Sequence, residues 1–249
     1  MTAPEIIRSL DDLRPGDLMF TEIKRPWYVS LLVKLGQLLM GDRVRLGRIS
    51  VDHVGVVVEA GNVGNWEAHR GDPQRLTYPR LVQAMPSGAE EIELVPSRHW
   101  RPGVAYLRLP EDWPGQSADA AAIARLFVKH RVRYSFASYG YLAAYLRGLK
   151  AERLAKHINR RGVVVMMDKW SSGPTTPTGP SLLPRTRGGR LPREAICSVL
   201  ADQAWTLAGK QVMPHGTQAQ VVTPGGLFLA IFRKPGVVSG GAGLLESAP

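Results

Sequence analysis

Three side chains in this chain have the types and surroundings to form an acyl-transfer site. The only cysteine, Cys197, lies near the start of a segment, 193–208, whose Ile196, Leu200, Ala204 and Leu207 recur at helical spacing. Unpaired N–H groups and the dipole at a helix start favour a thiolate, which is the nucleophilic form of the group. The same position also suits an inert cysteine, because free cysteine is among the most buried residue types. His53 opens the strongest strand pattern of the chain, residues 51–59, where Val54, Val56, Val57 and Val58 surround Gly55. An imidazole at a strand end can act as general base towards a thiol. Glu67 falls in residues 65–69, which the turn at Gly61-Asn62 predicts to return as the neighbouring strand. A carboxylate there can hold the imidazole tautomer and stabilise the imidazolium. His69 shares the face of Glu67 by strand alternation and is the other candidate for that role.

The elements that position these groups follow from pattern. Leu13-Arg14-Pro15-Gly16 is a turn signal before a short strand at 17–21. Residues 27–40 carry Trp27, Leu31, Leu32, Leu35, Leu38 and Leu39 at helical spacing. The expected arrangement is an amphipathic helix docked on the core, with membrane contact as the sharper alternative. Strands are predicted at 92–95, 104–109 and 226–232, and helices at 117–130 and 139–149. Pro192 and Glu194 suit the first turn of the Cys197 helix. Residues 150–191 begin basic and then run through Ser171-Ser172-Gly173-Pro174 and Arg187-Gly188-Gly189, which reads as a surface insertion. Residues 236–249 read as a loose tail.

Taken together, these segments resemble the NlpC-type papain-like cysteine peptidases. Leu13 to Phe20 resembles their "pGDlvf" opening, and Asp52 to Glu59 their "sHvGiyl" histidine strand. Asn65-Trp66-Glu67-Ala68 resembles "viEA", Ala195 to Leu200 resembles "fiCSel", and Val222 to Leu227 resembles a closing "tPgdL". Here the histidine precedes the cysteine, the order of the circularly permuted branch, which is related to lecithin retinol acyltransferase. The resemblance implies an α+β, circularly permuted papain-like domain with an antiparallel sheet packed against the nucleophile-bearing helix. Its first part would be 1–149, its insertion 150–191, and its nucleophile helix and closing strand 192–235, with the tail at 236–249. It implies Cys197 as nucleophile, His53 as base and Glu67 as orienter. Tyr134 resembles the tyrosine of a "YD" motif, although Ser135 replaces the acidic residue. Tyr134, His69 and Asp17 are thus the further candidates for a cleft-lining or third residue.

Composition narrows the partners. The chain has 249 residues, with 32 Lys+Arg against 21 Asp+Glu and a formal net charge of +11. One cysteine excludes an internal disulfide framework and a cysteine-rich zinc site, and no cofactor or metal is expected. The positive charge suits acidic partners. Nucleic acid is not the expected one, because the basic residues are spread through the chain rather than packed into one run. The expected substrate is a peptide or acyl-amide, such as a peptidoglycan stem peptide within an anionic wall polymer. The alternatives are acyl transfer or thioester hydrolysis on lipids, and a non-catalytic structural or binding module of a virion or wall-associated assembly. No signal-peptide pattern or membrane-length apolar run is evident. The expectation is a protein that is cytoplasmic at synthesis and is virion-associated or leaves by a non-classical route.

Overall fold

The computed structural model describes residues 6–23, 27–40, 44–46, 49–64, 77–110, 116–134, 194–210, 212–213 and 222–241. Among these, strands and helices follow in the order β1 (Leu18–Thr21), α1 (Trp27–Met40), β2 (Arg45–Leu46), β3 (Ile49–Ser50), β4 (His53–Glu59), β5 (Arg80–Met85), β6 (Gly88–Glu93), α2 (Pro96–His99), β7 (Ala105–Arg108), α3 (Gln116–Lys129), β8 (Arg133–Tyr134), β9 (Glu194–Ala195), α4 (Cys197–Leu207), α5 (Pro224–Phe232) and β10 (Val238–Gly240). The class is α+β, with a six-stranded sheet in the order β10-β7-β1-β4-β5-β6 and antiparallel at every pairing.

Strand alternation divides the interior in two. Val54, Val56 and Val58 face one way and pack with Phe127 of α3 and with Cys197, Leu200 and Ala204 of α4. Val57 faces the other way and joins Met19, Leu81, Tyr106 and the N-terminal Ile7, Leu10 and Leu13. A β-strand buried on both faces reads as a continuous apolar run rather than an alternating one, and residues 54–58 have that character. Two glycines answer to close approach. A Cβ on Gly55 would lie 2.6 Å from the Leu81 side chain, and Gly16, at φ +94°, would put one 2.7 Å from Ser117.

Several expectations from sequence are met closely. The helix predicted at 27–40 is α1, the helix predicted at 117–130 is α3, and the strands predicted at 17–21 and 104–109 are β1 and β7. Four need correction. The apolar stretch 226–232 is not a closing strand but most of helix α5. Thr223 caps α5 by accepting a hydrogen bond from Gly226 N at 3.0 Å, and Pro224 occupies the first turn. A short apolar run has no period that separates a buried strand from a buried helix. Residues 238–240 are not part of a loose tail but an edge strand paired with β7. Glu194 belongs to β9, parallel to β8, so α4 begins at Cys197 itself. Finally, the strand beside β4 is β5, drawn from 80–85, while β1 holds the other edge. The segment 65–69, with Glu67 and His69, lies outside the described residues, as do the helix predicted at 139–149 and the insertion 150–191.

Candidate functional site

The first residue of α4 and the first residue of β4 carry the two expected catalytic groups. Cys197 is fully buried where α4 leans on β4. Its thiol receives backbone hydrogen bonds from Val54, Ser198 and its own residue. These favour thiolate, as expected of a helix start, but burial outweighs them. The carboxylate of Asp52 also opposes negative charge on sulfur, and together burial and this carboxylate push the thiol up to about 12. Burial thus favours the neutral thiol at rest, against the preference of the helix start.

His53 is buried as well, and burial holds its imidazole below the ordinary 6.5. The ring is neutral at pH 7, and its tautomer follows from its neighbours. Glu90 on β6 can only accept as a carboxylate, so the Gln83 amide nitrogen donates to Glu90 Oε1 at 2.9 Å. Gln83 Oε1 then faces the imidazole and accepts from His53 Nε2 at 2.7 Å. Nε2 carries the proton, which leaves Nδ1 as the basic nitrogen. Nδ1 is buried and has no hydrogen-bond partner.

The thiol and the imidazole do not hydrogen-bond to each other. Alternation explains the separation. Val54 packs in the α4 layer with Cys197, whereas His53 lies on the Gly55 and Gln83 side of β4. The thiol meets the strand backbone one residue beyond His53.

Asp52 immediately precedes His53 in the chain and is fully buried. It accepts from Ile23 N at 2.5 Å and from the Ser30 hydroxyl of α1. Burial raises its pKa from 3.8 to about 6, against those hydrogen bonds and the nearby Lys34. Gln37 of α1 donates to Val51 O at 2.6 Å. Helix α1 is thus fastened to the two residues that precede His53.

The remaining candidates separate. Tyr134 is buried, and it pairs with Ala195, two residues before the cysteine, so the fold brings it beside the Cys197 segment. Asp17 is not at the site. It sits at the other end of β1, where Arg108 donates to both of its oxygens at 2.9 Å and Arg14 N donates at 2.9 Å. Its carboxylate is committed to holding β7 against β1, which removes it as a third catalytic residue.

Gln83 and Glu90 were missed by sequence reading. The available signal was a glutamine flanked by apolar residues in 81–84, followed by an acidic run at 90–91. Among the described residues, no three His, Cys, Asp or Glu side chains cluster as metal ligands. No family model, no curated protein and no solved structure matches this chain.

Proposed function

We propose that this protein is a cysteine hydrolase on a circularly permuted papain-like scaffold of the NlpC type, acting on amide bonds of peptide or acyl-amide substrates. The observation that carries the reading is His53. Its Nε2 is held by a carboxamide, and its buried Nδ1 is left without a partner one strand residue from the contact of the only cysteine. A buried, unpaired ring nitrogen is costly unless something uses it.

The chemistry starts from two neutral groups. As Cys197 Sγ attacks the substrate carbonyl carbon, His53 Nδ1 takes the thiol proton. Gln83 stabilises the resulting imidazolium through Nε2–H, and Glu90 orients Gln83. The imidazolium then protonates the leaving amine, an acyl-thioester remains on Cys197, and water attacks it with His53 again as base. The transfer requires Sγ to come within hydrogen-bond reach of Nδ1, so a shift of the first residue of β4 on substrate binding is part of the cycle, because the two groups start on opposite faces of the strand. The same groups would serve transfer from a lipid ester, with another acceptor in place of water.

A second reading has its own support. A buried, neutral thiol that makes no bond to the imidazole also fits a non-catalytic structural or binding module on this scaffold. Nitrophenyl acetate separates the two readings. Attack by Cys197 releases nitrophenolate and leaves an acetyl thioester, read as a hydroxylamine-labile mass increase on the cysteine peptide. The hydrolase reading expects this adduct, formed at least about 100-fold more slowly in His53→Ala. No adduct, or a rate indifferent to His53, would establish the module instead.

A further inference from the structure

Helix α1 turns two apolar faces outward from its axis, and only one of them is used by the fold. Val29, Val33, Ser30 and Gln37 are buried against the sheet layer. On the other side, Trp27 is 70% exposed, Leu31 56%, Leu35 51% and Leu38 58%, with Tyr28 also exposed. At 3.6 residues per turn, Trp27, Leu31, Leu35 and Leu38 fall within an arc of about 80°. Of the seven exposed large apolar side chains among the described residues, five lie on this helix.

The charges beside the stripe have one sign in excess. Lys24 and Arg25 precede α1 in the chain. Arg45, exposed, follows the helix, and in the sequence Arg43 and Arg48 flank it against the single acidic residue Asp42. Lys34 lies at the border of the stripe, paired with Glu22. The whole chain carries +11. An apolar stripe with an aromatic pair at one end and basic residues at both is the pattern of a helix lying in a lipid–water interface. A second protein surface would need no such excess of positive charge.

We propose that α1 docks this protein on the surface of an anionic phospholipid bilayer, with Trp27, Leu31, Leu35 and Leu38 entering the headgroup–acyl boundary. Among the described residues no helix is long and apolar enough to cross a membrane, and α1 would lie in the plane of the surface. The inference stands on α1 alone and does not depend on the hydrolase reading. If both hold, the bonds from Ser30 to Asp52 and from Gln37 to Val51 place the His53 end of β4 directly behind the bilayer-facing helix.

The test is co-sedimentation of the full chain with vesicles of phosphatidylcholine and phosphatidylglycerol, and with vesicles of phosphatidylcholine alone. Carrying Cys197→Ala in parallel keeps binding separate from chemistry. The expected result is binding to the anionic vesicles, weakened at least about tenfold by Leu31→Glu/Leu35→Glu and weakened by raised salt. Lys24→Glu/Arg25→Glu, which leaves the helix untouched, should lower the preference for the anionic vesicles. Wild-type protein that stays in the supernatant with anionic vesicles overturns the proposal. So does a Leu31→Glu/Leu35→Glu variant that binds like wild type. A wild-type dimer in sedimentation velocity that the same variant dissolves would assign the stripe to a second copy of the chain and overturn it equally.

Discussion

Strands β1 and β4 lie side by side, and their two ends treat buried polar groups in opposite ways. At the Asp17 end, Arg108 grips both carboxylate oxygens, Arg14 N adds a third bond, and the Trp205 indole donates to Gly16 O at 3.2 Å. At the His53 end, one ring nitrogen is unpartnered and burial favours a neutral thiol, whereas burial raises a carboxylate at both ends, Asp17 and Asp52. Both ends are equally deep, so burial alone does not distinguish a structural polar cluster from the one proposed to react. The distinction lies in whether the hydrogen-bonding capacity is used up. A saturated cluster fixes β7 to β1, whereas an unsaturated one retains a base that can still accept a proton.

The contrast predicts where damage will fall. Arg108→Leu should cost the most, about 3–5 kcal/mol in urea unfolding, because it strands the buried Asp17 carboxylate. Nitrophenyl acetate turnover per folded molecule should be unchanged by it. A loss of rate with no loss of stability would erase the contrast between the ends. Gln83→Leu should do the reverse. It costs about 1–3 kcal/mol, since His53 Nε2–H and Glu90 each lose a partner. It also slows acetyl-thioester formation at least about tenfold, because the imidazole tautomer is no longer fixed. Equal rates for wild type and Gln83→Leu would remove Gln83 from the positioning role.

Asp52→Asn should act more gently and in the opposite sense. Removing the carboxylate that opposes a thiolate brings the Cys197 pKa down from about 12. Iodoacetamide labelling should then begin at a lower pH than in wild type. An unshifted labelling profile would mean that Asp52 does not reach the sulfur electrostatically.

The smallest effect is on stability against pH, where two groups pull apart. The folded pKa of His53 lies below the 6.5 of the unfolded chain. The unfolded state therefore binds the extra proton first, and stability is lost as pH falls below 6.5 towards the folded value. Asp52 has the opposite sign. Its folded pKa of about 6 exceeds the unfolded 3.8, so its contribution is full below 3.8 and is lost as pH rises through about 6. Comparing urea midpoints across pH 4 to 7, His53→Gln should flatten the loss on the acid side. Asp52→Asn should reduce the opposing decline, the rest of which comes from Asp17 and Asp202, whose pKa values burial also raises. A His53→Gln curve parallel to wild type would show that the imidazole is not held neutral by burial.

Local signals in the sequence determined much of this protein. The spacing over 27–40 specified α1, the alanine-rich 116–129 specified α3, and the β-branched 54–58 specified the central strand. Cys197 at a helix start and His53 at a strand start were both legible because each sits where a strong local pattern begins. The partner of His53 was not legible. A hairpin argument chose 65–69, whereas the sheet paired β4 with 80–85 and delivered Gln83 and Glu90. Strand pairing is set by which faces bury together over long chain separations, and a single sequence does not display that. Helix α5 was misread for a related reason, since a short apolar run carries no period of its own. The protonation of the site was also a tertiary outcome. The helix start favours a thiolate, but the fold closes over Cys197, and desolvation in the assembled core exceeds what three backbone N–H groups return. The sequence determined which residue types stand at the helix and strand starts, and only the packed structure decided which are paired and which nitrogen is left unpaired.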